Sequence, residues 1–416
     1  MDCGPIAIAA LRLIFGDRYA RDFSIALWDG TVITAEHESR FTLRVNHPGA
    51  LRLAFRPPVD LNAGRAFVAG LIDCDGEIEA AVDEFQKALD RLPKRSLPLL
   101  LGLLMRLPKA QSGSLREAHL HGRLHSRPRD RAAISFHYDQ PVAFYRAFLD
   151  SELVYSCAYF DNAQSLDEAQ LAKIDYTLRK LRLRPGESLL DIGCGWGALV
   201  IRAAQKFGAR ALGVTLSSRQ REEARRRIAQ LGIAERAAVE TCDYREIGGT
   251  FDKIVSVGMF EHVGRQKLPQ YFEGAFAKLR AGGLFLNHGI AEQSAGRAGG
   301  KAHGFMERFI FPDGELVVLS DALRFAERAG FEIRDVENLR EHYVRTLRCW
   351  VRNLERHRDA AVEAAGIESY RAWRLYMAGS AQGFRVGRLG LFQALLAKPD
   401  AGGGVTIPAT RRDLYG

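Results

Sequence analysis

The chain has 416 residues, 47% hydrophobic and 26% charged, with 59 Lys and Arg against 50 Asp and Glu, a net charge of +9 and a pI near 9.3. This length and apolar content exclude a disordered or fibrous chain and allow two or three domains with a large core. The six cysteines stand singly, without CxxC pairs, which argues against a zinc site or disulfide framework and for a reducing cytoplasm; the basic balance points to an anionic partner, nucleic acid or a phospholipid surface.

Residues 1–95 predict a small α+β module. Phe23-Ser-Ile-Ala-Leu-Trp28, the turn Asp29-Gly30 and Thr31-Val-Ile33 predict a hairpin. Phe41–Val45 and Leu51–Phe55 alternate apolar and other residues and predict a second hairpin across Asn46-His-Pro-Gly49. Glu77–Leu92 has helical periodicity, and His37 and His47 read as exposed loop residues. The start of the chain carries Asp2 and no basic segment before a long apolar run, unlike a secretion signal.

Residues 96–133 read as a basic connector. Its apolar run, Leu97–Leu107, is broken by Pro98, Gly102 and Arg106 and is too short to span a bilayer. It predicts a helix packed on the core or a surface segment whose neighbours Lys94, Arg95, Arg106 and Lys109 meet lipid headgroups. His119, His121 and His125 have no Cys or carboxylate partners nearby and read as part of a solvated basic linker rather than a metal site.

From residue 134 apolar runs alternate with helical segments, which predicts a mostly parallel sheet with helices on both faces. The organising stretch is Ser188-Leu-Leu-Asp-Ile-Gly-Cys-Gly-Trp-Gly197. It reads as a buried strand, a glycine turn that lets backbone approach a ligand, and a helix beginning at Ala198. The next strand, Ala211–Val214, ends in Thr215-Leu-Ser217 without the acid that would hold an NAD ribose. S-adenosylmethionine, with ribose and adenine but no pyrophosphate, fits better. Lys253–Val257 and Gly283–Leu286 predict two further strands. The strand carboxyl ends then gather Gly193–Gly197, Thr215–Ser217, Asp243-Tyr244, Glu261-His262 and His288. Residues 134–398 form the expected catalytic domain, and the glycine-rich residues 399–416 a flexible tail.

Five motifs in one order carry a family likeness: Tyr155-Ser-Cys-Ala-Tyr-Phe160, Asp191–Gly197, Gly213-Val-Thr-Leu-Ser217 with Gln220, Gly258-Met-Phe-Glu-His-Val-Gly264 and Phe309-Ile-Phe-Pro-Asp-Gly314. Together they resemble the cyclopropane-fatty-acyl-phospholipid synthase family, related to the mycolic acid cyclopropane synthases, over about residues 135–395. The resemblance implies an α/β, Rossmann-like class I methyltransferase fold, with residues 1–95 as a lipid-contacting domain. It implies transfer of a methylene from S-adenosylmethionine to a cis double bond of a phospholipid acyl chain, with bound bicarbonate removing the proton that closes the ring. The positions matching the bicarbonate cage are Cys157, Glu261, His288, Ile290 and Tyr343. Glu261 can accept a proton there, and His288 and Tyr343 can donate hydrogen bonds. The matching cofactor positions are Tyr155, Ser156, Asp191, Gly193, Gly195, Gly197, Thr215, Leu216, Gln220, Asp243 and Tyr244, the last where adenine stacks. Trp196 reads as a packing residue, and no metal is implied. The implied partners are acyl chains with cis double bonds and an anionic membrane surface, not nucleic acid; a homodimer is left open. The implied location is cytoplasmic, peripheral at the inner face of the membrane.

Two departures stand out. Gln140-Pro-Val142 replaces the family's x-Gly-Asn, so that Pro141 would stiffen a lid over the cofactor. Ser380 stands where a cysteine is common, which a mechanism without a covalent intermediate can lose. Tyr370, Trp373, Met377 and Phe384 in the same helix read as core or as the lining of an acyl channel. The nearer rival function is a lipid C-methyltransferase, in which the same cation loses a different proton and a methyl or methylene branch remains. The farther rival, an RNA methyltransferase, would carry a motif such as Asn-Pro-Pro-Tyr where Gly258-Met-Phe-Glu261 stands, and a plain lipid-binding module would not need the cofactor and cage motifs.

Overall fold

A computed structural model describes residues 2–16, 22–293, 304–405 and 407–415. The first elements are α1 (Gly4–Phe15), β1 (Ser24–Leu27), β2 (Val32–Ile33), β3 (Phe41–Val45), α2 (Ala50–Ala54), α3 (Val59–Val68), β4 (Ile72–Gly76), α4 (Ile78–Arg91) and α5 (Leu97–Arg106). Next come α6 (Arg127–Tyr138), α7 (Val142–Arg146), α8 (Leu166–Lys180), β5 (Ser188–Ile192), α9 (Ala198–Lys206), β6 (Arg210–Thr215), α10 (Ser218–Gln230), β7 (Ala237–Thr241), β8 (Phe251–Val257), α11 (Leu268–Lys278) and β9 (Leu279–Glu292). The chain closes with α12 (Phe305–Phe309), α13 (Leu319–Arg328), β10 (Glu332–Asn338), α14 (Arg340–Arg356), α15 (Arg358–Arg385), β11 (Leu389–Ala397) and α16 (Arg412–Tyr415).

Two compact units result: Met1–His119 with Gly299–Ile310 and Leu354–Gln382, and Leu120–Ala298 with Phe311–Asn353 and Gly383–Gly416. The first holds a four-stranded sheet in the order β2-β1-β3-β4. Its β1–β2 hairpin is the expected one, with Ile25 opposite Ile33. The second expected hairpin does not form. Ala50-Leu-Arg-Leu-Ala54 is short enough to fit either period, and its strong helix formers turn into α2, burying Ala50, Leu51 and Ala54. Strand β3 pairs instead with β4, antiparallel, from Phe41 opposite Gly76 to Val45 opposite Ile72. His37 is exposed, whereas His47 is half-buried and its Nδ1 accepts from the Gly49 N–H at 3.0 Å. Helix α5 buries Leu100 and Leu104, yet leaves Leu97, Leu99, Leu101 and Met105 from 47% to 61% exposed.

The second unit is built on a seven-stranded sheet in the order β10-β11-β9-β8-β5-β6-β7. Six strands share one direction, and β11 alone runs against them, antiparallel to both β9 and β10. Chain order reverses at β5, which has β6 on one side and β8 on the other, so the crevice opens at its carboxyl end. Leu189, Leu190 and Ile192 are buried, as a strand covered on both faces requires. Helix α8 starts on a full capping box, with Ser165 and Glu168 each bonded to the other's backbone N–H. Strand β9 is longer than the expected Gly283–Leu286 and carries His288 inside its ladder rather than beyond its end. The tail, expected to be mobile, is docked: Val405 and Ile407 pack on the core under the sheet, Leu414 is buried, and Arg411 pairs with Asp335 at 2.5 Å. Apolar side chains after the glycines offset the ordering cost that composition alone suggested would keep this segment loose. No helix among the described residues is long and apolar enough to cross a membrane.

Candidate active site

The crevice at the end of β5 is shaped by three glycines with positive φ, at +84° for Gly193, +53° for Gly195 and +81° for Gly197. They do not all do the same job. A Cβ on Gly193 would meet Met259 at 2.9 Å, and one on Gly197 would meet Ala224 at 3.0 Å, so these two permit close packing. A Cβ on Gly195 meets nothing within 4 Å and would project into open space. Gly193 and Gly195 line the crevice; Gly197, expected to do so, instead caps α9.

The other expected cofactor residues line the same crevice. Tyr155 and Ser156 stand on one wall and Asp191 at the end of β5. Thr215 and Leu216 end β6, with Gln220 in the first turn of α10. The Thr215 hydroxyl donates to Gln220 Oε1 at 2.6 Å, and Ser217 caps α10 by accepting from the Gln220 N–H. Asp243 and Tyr244 follow β7. Burial works against ionisation of Asp243, but bonds from the Arg245 guanidinium at 2.6 and 2.8 Å and from its N–H outweigh this and hold the carboxyl below its ordinary value. Burial raises the Tyr244 phenol to about 12, so it stays protonated. Trp196, expected only to pack, both lines the crevice and packs against the Tyr145 ring, centroids 4.6 Å apart and planes tilted by 60°. Pro141 starts α7, and the Tyr145 hydroxyl of that helix donates to the His137 carbonyl at 2.8 Å, tying this segment to α6.

A second group of residues carries no motif, and sequence reading passed over it. Helix α8 turns a polar stripe inward: Gln170, Lys173, Thr177 and Lys180, all at most 2% exposed. Gln170 Nε2 donates to the carbonyls of Val154 and Ser156, pinning the segment that carries Tyr155 and Cys157. Lys173 Nζ donates to Ser156 Oγ at 2.8 Å and itself lines the crevice; burial pulls this ammonium down to about 8, partly offset by Cys157, Asp150 and Asp191. Burial pushes the Asp191 carboxyl up in turn, with Lys173 opposing. The available signal was the spacing: polar residues at i, i+3, i+7 and i+10 occupy the positions that face a core.

The five residues of the expected cage are not among those lining the crevice; Cys157, Glu261, His288 and Tyr343 are buried and Ile290 is half-buried. Val257 and Gly258 belong to that wall; Val257 pairs with His288, and the Gly258 N–H donates to the His288 carbonyl at 3.0 Å. Glu261 lies in a short turn after β8, and its Oε1 accepts from the Ile290 N–H at 2.7 Å. Its Oε2 is buried without a partner. Burial raises this carboxyl to about 7, with backbone hydrogen bonds opposing. His288 is 1% exposed; its Nδ1 lies 3.2 Å from Gln393 Nε2, and its Nε2 is buried without a partner. Burial, then the positive charges of Lys173 and Lys180, push its pKa well below the usual value and keep the ring neutral. Cys157 Sγ approaches the carbonyls of Ala158 at 3.2 Å and Leu339 at 3.8 Å, and burial keeps it a thiol. Tyr343, one turn into α14 from Leu339, packs against Phe384 at 4.8 Å and Trp350 at 6.0 Å. The structure thus joins Glu261 to Ile290 directly, and the other three through Leu339, Leu391 and Gln393. Tyr370, Trp373, Met377 and Phe384 are all buried.

This architecture has known counterparts. A family described as mycolic acid cyclopropane synthetase matches residues 125–394. A "probable fatty acid methyltransferase" of Pseudomonas putida is 38% identical, over 94% of this chain and 95% of its own. Among solved structures, the cyclopropane synthase MmaA2 from Mycobacterium tuberculosis superposes with a TM-score of 0.62 at 32% identity, over 67% of this chain and all of that one. The mycolic acid cyclopropane synthase CmaA1, complexed with SAH and CTAB, gives 0.61 at 34% identity, over 64% and 98%. The fold is that of a class I methyltransferase, and the chain belongs to the mycolic acid cyclopropane synthetase family of S-adenosylmethionine-dependent methyltransferases.

Proposed function

We propose that this enzyme forms a cyclopropane ring on a phospholipid acyl chain, using bicarbonate held by the buried residues beside the crevice. One observation carries the reading: Glu261 Oε2 and His288 Nε2 are both buried without partners, on elements adjacent to the crevice wall. An unmet buried polar atom costs about 1–3 kcal/mol, a cost that function can justify. S-adenosylmethionine, when bound, supplies an electrophilic methyl carbon. Bicarbonate, when bound, supplies a proton acceptor small enough to sit beside it.

The chain's own residues do the rest. The Gly193–Gly195 backbone, Thr215, Gln220 and Asp243 are placed to hold the cofactor, and Lys173 offers a cation to its carboxylate end. Its neighbours leave Glu261 balanced between its two charge states near neutrality, which suits a group that takes up and returns a proton. A neutral His288 can donate one hydrogen bond to an oxyanion, and Tyr343 another.

The membrane side of the proposal rests on α5, whose exposed Leu97, Leu99, Leu101 and Met105 stand among the exposed Lys94, Arg95, Arg106 and Lys109. That pattern suits the peripheral face of an anionic bilayer on the cytoplasmic side.

The full-length likeness to a fatty acid methyltransferase favours a second reading, methyl or methylene branching of the acyl chain. Mass spectrometry of lipids from cells expressing the protein separates the two. Gain of one CH2 with loss of the double bond indicates the ring; gain of one CH2 with an alkene retained indicates the branch.

A further inference from the structure

Strands β10, β11 and β9 place Glu337, Gln393 and His288 in one cross-strand row, with Gln393 directly opposite both neighbours. Lys180 of α8 reaches this row. Its Nζ pairs with Glu337 and lies 3.8 Å from Asp335, and it donates to Gln393 Oε1 at 2.9 Å. The Gln393 amide is 1% exposed, and its Nε2 has two neighbours, Thr177 Oγ1 at 3.4 Å and His288 Nδ1 at 3.2 Å.

These contacts leave one self-consistent assignment of protons. An ammonium paired with a carboxylate has only donors, so the group facing it must be the amide oxygen of Gln393. Turning the amide over would set its NH2 against the ammonium. The Gln393 NH2 therefore faces His288, and Nδ1 must accept. A neutral imidazole that accepts at Nδ1 carries its proton at Nε2. That is the nitrogen left buried without a partner.

We propose that Gln393, oriented by Lys180, is a positioning residue that locks His288 as the Nε2–H tautomer and aims a hydrogen-bond donor at the anion beside Glu261. The inference deepens the bicarbonate reading and rests on it only for the identity of the anion. The tautomer is a property of the protein alone. It differs from a structural role for Gln393, which would hold the strands together whichever nitrogen carried the proton.

The test is nitrogen-15 NMR of the full chain labelled at histidine, without added cofactor or bicarbonate, with His288 identified by the signals lost in His288→Asn. Wild type should show a neutral ring protonated at Nε2. Protonation at Nδ1, or an even mixture, overturns the proposal with no further variant needed. In Gln393→Glu the new carboxylate keeps the partner of Lys180 but can only accept, so the proton should move to Nδ1. An unchanged Nε2–H signal in a folded Gln393→Glu also overturns it. Gln393→Met, which has neither donor nor charge, should leave a mixture of tautomers. The bicarbonate concentration giving half-maximal turnover should rise on the order of 10-fold to 100-fold in Gln393→Glu, the size of one hydrogen bond to a charged group. Calorimetric affinity for S-adenosylmethionine should not change. If the tautomer is as stated but turnover ignores bicarbonate in wild type and variant alike, the positioning stands and the bicarbonate reading falls.

Discussion

The crevice and the buried group meet where Val257 and Gly258 of the crevice wall pair with His288, but they are finished differently. In the crevice several polar side chains are already paired, Thr215 with Gln220, Asp243 with Arg245 and Ser156 with Lys173, although Trp196 Nε1 has no partner. In the buried group Glu261 and His288 each satisfy one atom against the scaffold and leave the other unmet. A surface that binds a large cofactor can be shaped by backbone and can set its buried carboxylate, Asp191, against an opposing cation, Lys173. A site that must accept a proton has to keep a carboxylate near neutrality, and burial is the means.

The largest expected effect tests the buried side of this contrast. Glu261→Gln keeps shape but removes charge, so turnover should fall on the order of 10²–10⁴-fold, the usual size for losing a positioned proton acceptor. Cofactor affinity should persist. Wild-type turnover by Glu261→Gln in bicarbonate-depleted buffer would remove Glu261 from the chemistry and make branching the better reading.

The same variant should reveal the frustration in stability. The Glu261 carboxyl rises from 4.5 to about 7 in the folded state, so folded protein holds this proton more tightly than unfolded protein does. Wild type should therefore lose stability as pH climbs through that window, by about 3 kcal/mol at 1.36 kcal/mol per unit. Glu261→Gln lacks the loss. Denaturant titrations from pH 4.5 to 8 should show its stability relative to wild type climbing, then levelling above pH 7. A flat difference would mean the carboxyl is not strained by burial.

On the crevice side, Gly195→Val puts a branched side chain at a φ of +53°, pointing where Gly195 leaves open space. The backbone strain alone is about 1–3 kcal/mol. Calorimetric affinity for S-adenosylmethionine should fall by at least about 10-fold. Unchanged affinity would place the cofactor elsewhere.

The smallest effect concerns α5, in the first unit. Neutralising Lys94, Arg95, Arg106 or Lys109 singly should weaken binding to anionic vesicles by about 1 kcal/mol each, roughly fivefold. The loss should shrink with salt as the screening length falls to about 8 Å at physiological ionic strength. Flotation equal on neutral and anionic lipid at every salt concentration would discard the membrane face.

Local sequence determined much of this protein. The apolar Leu189–Ile192 run and the glycines after it are short-range signals, and strand, turn and helix form where they indicate. The family motifs located the crevice residues in a similar way: Asp191, Gly193, Thr215 and Asp243 lie at or just past strand ends, while Tyr155 and Ser156 stand in the segment before α8. Short-range signals failed where a segment fits two periods, as Leu51–Phe55 does. They also failed where contacts come from distant strands, which put His288 inside β9 and docked the tail. The polar stripe of α8 has no meaning until the sheet lies beneath it; only then do Gln170 and Lys173 pin the Tyr155–Cys157 segment and Lys180 reach Gln393, 213 residues away. Which atom of His288 carries the proton is decided wholly by that long-range pairing, because a tautomer follows from what faces the ring, and nothing near His288 in the chain does so.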